Sequence, residues 1–157
     1  MKSKTAANAL STWFGCGYSP VAPGTAGSLA AVAIAWGLAE GAGWKPWHFA
    51  ALAAAITPVS ILAASVTARD SGRKDPQFVV VDEVVGQWIS LAGAVAINWK
   101  SAALGFALFR LFDIWKPWPV RIADRRVGGG FGIMLDDVLA AVYAALVLQL
   151  AARFIPA

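Results

Sequence analysis

Long apolar runs separated by short polar stretches constrain this 157-residue chain more than any other feature. Of its nine carboxylates, only Glu40 stands apart from those polar stretches. The other eight are Asp70, Asp75, Asp82, Glu83, Asp113, Asp124, Asp136 and Asp137. A carboxylate beside an apolar run is costly unless it is paired, hydrated or bound to a metal. The pattern therefore predicts a carboxylate cluster on one side of a bilayer, of the kind that holds a hard cation.

The composition favours a membrane setting over an aqueous one. Hydrophobic residues make up 59% of the chain and charged residues 14%, against roughly 25% charged residues in an ordinary soluble domain. Eight tryptophans suit anchoring at the membrane interface. The net charge of +4 fits anionic lipid better than nucleic acid, so no nucleic-acid partner is expected. The length predicts one domain over residues 1–157.

Five uncharged runs are candidates for membrane helices, at about 26–39, 46–68, 84–99, 101–109 and 138–152. Several are shorter than the roughly 20 residues of a full span, so some helices are expected to cross only in part. With a cytoplasmic N-terminus and five alternating helices, ten of the thirteen Lys and Arg residues lie inside. This positive-inside bias also places the eight clustered acids on the cytoplasmic side. A soluble helical bundle with an apolar core is the alternative.

A loop rich in proline and glycine, residues 19–28, precedes the first of these runs. Thr25 or Ser28 is predicted to cap the following helix, because a hydroxyl there accepts from the exposed backbone N–H groups. The same N–H groups attract anions, so Thr25 and Ser28 are also candidates for phosphate binding. A plain turn and cap without a ligand explains the loop equally well.

Two pairs of adjacent acids are predicted to open apolar helices. Asp82 and Glu83 precede one run, and Asp136 and Asp137 follow the glycine-rich segment 128–132. Acids in a first helical turn also offset the helix dipole, which is the structural alternative. Two acids entering an apolar helix favour a ligand, and together with Asp113 they predict a Mg²⁺ site.

A third motif carries charges of both signs along one helix. Arg110, Asp113 and Lys116 are spaced i, i+3, i+6 and therefore share one helical face. Pro117 and Pro119 are predicted to end that helix. A purely structural ion pair is the rival interpretation, but it leaves unexplained why three charges line one face of an apolar run.

The remaining polar residues add candidate phosphate contacts and exclude some phosphatase mechanisms. Arg121 and Arg125 follow at i, i+4 and are predicted to contact phosphate or anionic headgroups. The single histidine, His48, lies near the end of an apolar run, where a packing role is expected. Cys16 has Ala22 six residues later, so the cysteine-phosphatase pattern is absent. A phosphatase mechanism that depends on histidine or cysteine is therefore not expected.

These motifs, in this order, resemble those of the bacterial phosphatidylglycerophosphatase A family, from about Phe14 to Ala141. The resemblance implies an all-helical, Mg²⁺-dependent enzyme of the inner membrane, and the positive-inside bias predicts that its active site faces the cytoplasm. It also implies removal of the terminal phosphate from phosphatidylglycerophosphate, which gives phosphatidylglycerol and orthophosphate. Whether the protein forms a homo-oligomer is left open.

The residues and the resemblance together give a mechanistic hypothesis. Asp82, Glu83, Asp113, Asp136 and Asp137 would hold one or two Mg²⁺ ions, which orient the phosphate and activate water. Lys116, Arg110 and Arg121 would offset phosphoryl charge, and Thr25, Ser28 and Arg125 would complete the substrate site. The predicted catalytic residues are Asp82, Asp113, Asp136, Asp137 and Lys116. A phospho-aspartate on Asp82 or Asp136 stays open beside direct attack by water.

Two other functions use the same carboxylates. A non-catalytic transport protein could bind Mg²⁺ or protons, but it would place its acids near the bilayer midplane rather than towards one side. A phosphotransferase that moves a headgroup onto an alcohol would need a nucleotide-lipid site, and the sequence carries no signature for one.

Overall fold

The computed structural model describes residues 2–154, and side-chain surroundings for residues 4–154. This part of the chain is all helical, with a short 3-10 helix at Cys16–Tyr18 and no strand. The α-helices are α1 Lys2–Ser11, α2 Pro23–Ala42, α3 Pro46–Ser71, α4 Val81–Leu91, α5 Trp99–Trp115, α6 Val120–Arg126 and α7 Gly129–Ala151. The predicted all-α fold is confirmed.

The helix ends follow local sequence signals. Proline stands in the first turn of α2 and of α3, where its missing N–H has no helical partner to lose. Both helices end at a glycine in the left-handed conformation, Gly43 with φ 67° and Gly72 with φ 68°. Helix α5 begins at a capping box in which the Asn98 side chain accepts hydrogen bonds from the backbone N–H groups of Lys100 and Ser101, each at 3.0 Å.

Helix α4 lies at the centre of the bundle, packed against α2, α3, α5 and α7. Its apolar side chains are almost entirely inaccessible to solvent, Trp88 and Leu91 among them. Gly86 lets α4 approach its neighbours closely, since a Cβ there would lie 2.6 Å from the Phe109 ring and 3.3 Å from the Asp137 carbonyl oxygen. The first half of α4 therefore packs closely against α5 and α7.

Within residues 2–154, three helices are long and apolar enough to cross a membrane, namely α2, α3 and α7, with 20, 26 and 23 residues. Large parts of α2 and α3 face outward, as expected for helices that contact lipid. The other two predicted runs give α4, with 11 residues, and α5, with 17. These are shorter than a full span, so three of the five expected crossings have the required length.

Two predicted helix starts are wrong. Helix α2 begins at Pro23 with Ala22 at its N-cap and no side-chain cap, so neither Thr25 nor Ser28 caps it. Helix α7 begins at Gly129, so Asp136 and Asp137 lie about two turns inside it instead of opening it. The glycine segment is helical because Gly130 packs on α3, where its N–H donates to Ser65 Oγ at 3.0 Å.

Candidate active site

An open cleft of about 480 Å³ lies where the starts of α2 and α4, the end of α5 and the first half of α7 converge. Its charged lining consists of Asp75, Asp82, Glu83, Arg110, Asp113, Lys116, Asp136 and Asp137. Segments far apart in sequence thus bring six acids and two cations to one cavity. The start of α2 closes one side, with Gly24 and Thr25 in the wall.

Arg110 joins two of the acids. Its guanidinium donates to the Glu83 carboxylate and lies 3.0 Å from the Asp113 carboxylate, one turn further along α5. The Ser28 hydroxyl also donates to Glu83, at 3.0 Å. Ser28 is fully buried, so in this structure its hydroxyl positions Glu83 from behind the cleft, whereas Thr25 lines the cleft itself.

Lys116 joins another pair of acids. Its ammonium group donates to Asp124 at 2.8 Å and to Asp136 at 2.5 Å. The residue follows the last turn of α5 in the left-handed conformation, with φ 48°. Burial alone would lower the pKa of Lys116, but the hydrogen bonds to Asp124 and Asp136 outweigh it and raise that pKa above its usual value. Lys116 therefore carries a positive charge at any physiological pH.

Asp82 and Asp137 differ from the other acids of the cleft. Both are buried, and Asp82 Oδ1 and Asp137 Oδ2 have no hydrogen-bond partner. Burial, followed by the charges of Glu83 and Asp75, raises the pKa of Asp82 well above its usual value. Buried polar atoms without partners are rare in folded proteins, and a bound water or ion is one explanation for them. These two oxygens are candidate ligands for a cation.

A Mg²⁺ ion fits this arrangement. Within residues 4–154, no three histidine, cysteine or acidic side chains stand close enough together to enclose a metal. Mg²⁺ does not require such a cage, because proteins usually hold it through one or two carboxylates together with water and substrate phosphate. Asp82 and Asp137 supply two carboxylates, while Glu83, Asp113 and Asp136 are engaged by Arg110 and Lys116.

Two predicted residues lie apart from the main cleft. Arg125 lines a neighbouring cleft of about 330 Å³ beside Lys74 and the glycine segment at the start of α7. The two clefts share Asp75 and Asp136 in their walls. Arg121 is exposed on α6 and is not among the residues that line either cleft. All the other predicted site residues either line the main cleft or, in the case of Ser28, contact its lining.

The structure adds three residues that the sequence motifs did not single out. Asp75 and Gln77 line the cleft from the loop between α3 and α4, and Asp124 holds Lys116 from α6. Burial is the main cause of a raised pKa at Asp75, where the charge of Lys116 acts in the opposite direction. Asp75 and Asp124 belong to the polar stretches, but no spacing within one helix predicts that they reach the site.

Comparison with known proteins identifies close relatives. The family model described as phosphatidylglycerophosphatase A matches residues 9–152. A protein of that name from Escherichia coli (strain K12) is 41% identical over 140 residues, which cover 88% of this chain and 79% of the relative. The protein of that name from Haemophilus influenzae (strain Rd) is also 41% identical, over 139 residues, with 88% and 84% covered.

A third relative carries a different name. A protein from Bacteroides thetaiotaomicron called "putative phosphatidylinositol-3-phosphatase" is 45% identical over 150 residues, which cover 90% of this chain and 91% of the relative. Both names describe enzymes that act on a phosphate of a phospholipid headgroup. No solved structure matches the chain.

Proposed function

This chain belongs to the phosphatidylglycerophosphatase A family, a family of phosphatases, and we propose that it hydrolyses phosphatidylglycerophosphate. The products would be phosphatidylglycerol and orthophosphate. The observation that carries the proposal is the presence, within one cleft, of two charged donors and of two buried carboxylates that each have one oxygen without a partner. Arg110 and Lys116 suit a phosphate anion, while Asp82 and Asp137 suit the cation that accompanies it.

We propose Mg²⁺ as the cofactor, held by Asp82 and Asp137, with Glu83, Asp113 and Asp136 as the further predicted ligands. When bound, Mg²⁺ would neutralise phosphoryl charge and lower the pKa of a water molecule. The unpartnered oxygens of Asp82 and Asp137 support this assignment because each lacks a hydrogen-bond donor in the described part of the chain.

The two cations would bind and orient the transferred phosphate. Both observed contacts of Arg110 involve Nη1, and a guanidinium has five N–H donors in all. The remaining donors would bind phosphate oxygens, while Glu83 and Asp113 fix the plane of the group. Lys116 would act by charge alone, since an ammonium with a raised pKa is a poor acid.

The reaction requires that an oxygen nucleophile form a bond to phosphorus while the bond from phosphorus to the glycerol oxygen breaks. The glycerol oxygen then takes up a proton from solvent water, to which the cleft is open. Asp82 is the better placed of the two nucleophiles that the sequence suggested, because Asp136 is held by Lys116 whereas Asp82 Oδ1 is unpartnered. Asp82 would either accept a proton from attacking water or form a phospho-aspartate that water later hydrolyses.

We also propose that the cleft faces the cytoplasm from the bacterial inner membrane. The apolar helices α2, α3 and α7 support membrane association. The polar segments beside the cleft carry exposed cations, among them Arg73, Lys74, Arg121 and Arg125. An excess of Lys and Arg is typical of cytoplasmic loops and would attract the protein surface to anionic lipid.

A measurement of orthophosphate release tests the proposal. Purified protein in detergent micelles would receive phosphatidylglycerophosphate with Mg²⁺, and then with EDTA. We expect release that EDTA abolishes. Phosphatidylinositol 3-phosphate serves as the second substrate, because one relative is named for it. Faster release from this lipid would replace the proposed substrate, and no release from either lipid by folded protein would favour the transport alternative.

A further inference from the structure

Helix α5 carries two parallel rows of side chains that differ in chemistry. One row faces the cleft and contains Arg110 and Asp113. The other is apolar and exposed, with Leu111 52%, Ile114 72% and Trp115 60% accessible. In sequence, Leu111 directly follows Arg110, and Ile114 and Trp115 directly follow Asp113. Since successive helical residues are rotated by about 100°, the apolar row lies immediately beside the charged row.

The apolar row has the length of one membrane leaflet. It continues from Trp115 through Leu111 to the exposed Ala107 and Ala103. Trp115 lies twelve positions after Ala103, which is about 18 Å along the helix axis. Half of the hydrocarbon core of a bilayer is about 15 Å thick. A chain that leaves the cleft along this row would therefore reach about as far as an acyl chain extends.

We propose that this row of α5 binds an acyl chain of the substrate lipid while its phosphate lies between Arg110 and Lys116. The inference rests on the proposed function, and it assigns the site that recognises the apolar part of the substrate. A lipid phosphomonoester joins an anion to apolar chains, and the end of α5 presents Arg110 and Lys116 beside an apolar row. The row lies on the same helix as the residues that face the cleft and directly beside them, and this position favours the substrate chain over any other occupant.

Substrates of different chain length separate recognition of the acyl chain from recognition of the phosphate. The probes are dipalmitoyl and dihexanoyl phosphatidylglycerophosphate in detergent micelles, because they share one headgroup. In the double variant Leu111→Ser/Ile114→Ser we expect KM for the long-chain lipid to rise about tenfold, from loss of apolar contact. The value of kcat for that lipid should stay within about twofold, and the short-chain lipid should show little change in either constant.

Matched variants control for exposure and for shape. Leu62 on α3 is 67% exposed and lies outside both clefts, so Leu62→Ser should leave both KM values unchanged. The conservative double variant Leu111→Ile/Ile114→Leu keeps the apolar surface and should retain the wild-type KM for the long-chain lipid. Thermal unfolding of each variant in detergent identifies any that have lost structure.

The outcomes separate this inference from the proposed function. If wild-type protein releases no orthophosphate from either lipid, the proposed function fails. If wild type is active and the Leu111→Ser/Ile114→Ser variant keeps its long-chain KM, the inference alone is overturned. An equal rise in KM for both lipids, or the same rise with Leu62→Ser, also overturns it. A change of oligomeric state in the α5 variant, with unchanged chain-length preference, would assign the row to a second copy of the chain.

Discussion

The Arg110 guanidinium lies 3.0 Å from the Asp113 carboxylate, one turn along α5, and the same Nη1 atom contacts Glu83 on α4. All three side chains are largely buried. One cation thus neutralises two acids of the cleft and joins the two helices that carry them. Removing it would leave two carboxylates close together without a cation between them, so Arg110 holds these helices together and is also a candidate for phosphate binding.

We expect Arg110→Met to lower the free energy of unfolding by about 3 kcal/mol, because it leaves buried charges without a partner. The double variant Arg110→Met/Glu83→Gln should recover part of that loss, since one of the two stranded charges is then gone. Denaturant unfolding in detergent, followed by circular dichroism, measures both values. Arg121→Met, at an exposed arginine on α6, is the control and should change stability by less than about 0.5 kcal/mol.

A double variant that is no more stable than Arg110→Met would show that Glu83 and Arg110 are not energetically coupled. Activity should stay low in both variants, because the phosphate loses its bidentate donor in each. Recovery of stability without recovery of activity is the combined result that the cleft geometry predicts.

Substitution of Asp82 or Asp137 should not lower stability, in contrast to substitution of Arg110. Each has a buried oxygen without a partner, so Asp82→Asn or Asp137→Asn removes an unfavourable buried charge. Stability in EDTA should be unchanged or higher, while the rate falls by about 100- to 1,000-fold. Orthophosphate release and thermal unfolding of the same samples give the two numbers.

Binding of Mg²⁺ gives an independent readout for these two positions. A ligand that binds only the folded state raises the unfolding temperature by mass action, so Mg²⁺ should stabilise the wild-type protein. Asp82→Asn should abolish that shift. The control Asp124→Asn alters an acid that contacts Lys116 at the edge of the site, and should retain most of the shift. A full Mg²⁺ shift in Asp82→Asn would remove Asp82 from the metal site.

The sequence predicts which residues line the site better than it predicts which of them contact each other. Adjacent charges in the motifs, such as Arg110 and Asp113 at i, i+3, do contact each other, because helical periodicity fixes that relationship locally. The pairing of Lys116 with Asp124 and Asp136 depends on how α5, α6 and α7 meet. No spacing rule within one helix contains that information. The sequence therefore predicts that five acids share metal ions, whereas in the structure three of them, Glu83, Asp113 and Asp136, form ion pairs with Arg110 or Lys116.

The helix boundaries also depend on packing that the sequence alone does not predict. The glycines at 129–132 suggested a flexible loop, because glycine is usually unfavourable inside a helix. Close packing on α3 overrides that preference at Gly130, whose missing side chain lets its backbone reach Ser65. The consequence is that Asp136 and Asp137 lie about two turns inside a membrane-type helix, where an acid without a partner is costly. Asp136 is paired with Lys116, whereas one oxygen of Asp137 has no partner.

Gly24 provides a test of how finely Glu83 must be placed. A Cβ at Gly24 would overlap the Glu83 carboxylate, so Gly24→Ala should displace that group and disturb the donors of Arg110. We expect kcat to fall by about 10- to 100-fold, as small misplacements in active sites often cause, with a change in stability below about 1 kcal/mol. Gly37→Ala on the same helix meets open space and should retain full activity. Similar rates for the two variants would show that the position of Glu83 does not limit turnover.

Lys116 provides a prediction about pH. Its pKa is higher in the folded protein than the usual value of about 10.4. The stability from its contacts should therefore be complete below about pH 10 and be lost only as the pH rises through the folded-state pKa. Lys116→Met should destabilise the protein by about 2 kcal/mol, by the same amount at about pH 6.5 and about pH 9. Denaturant unfolding in EDTA at both values measures this difference, with Lys116→Arg as the variant that keeps the charge. A penalty that disappears near pH 9 would show that Lys116 loses its proton there, and its assigned role as a fixed positive charge beside the phosphate would then be wrong.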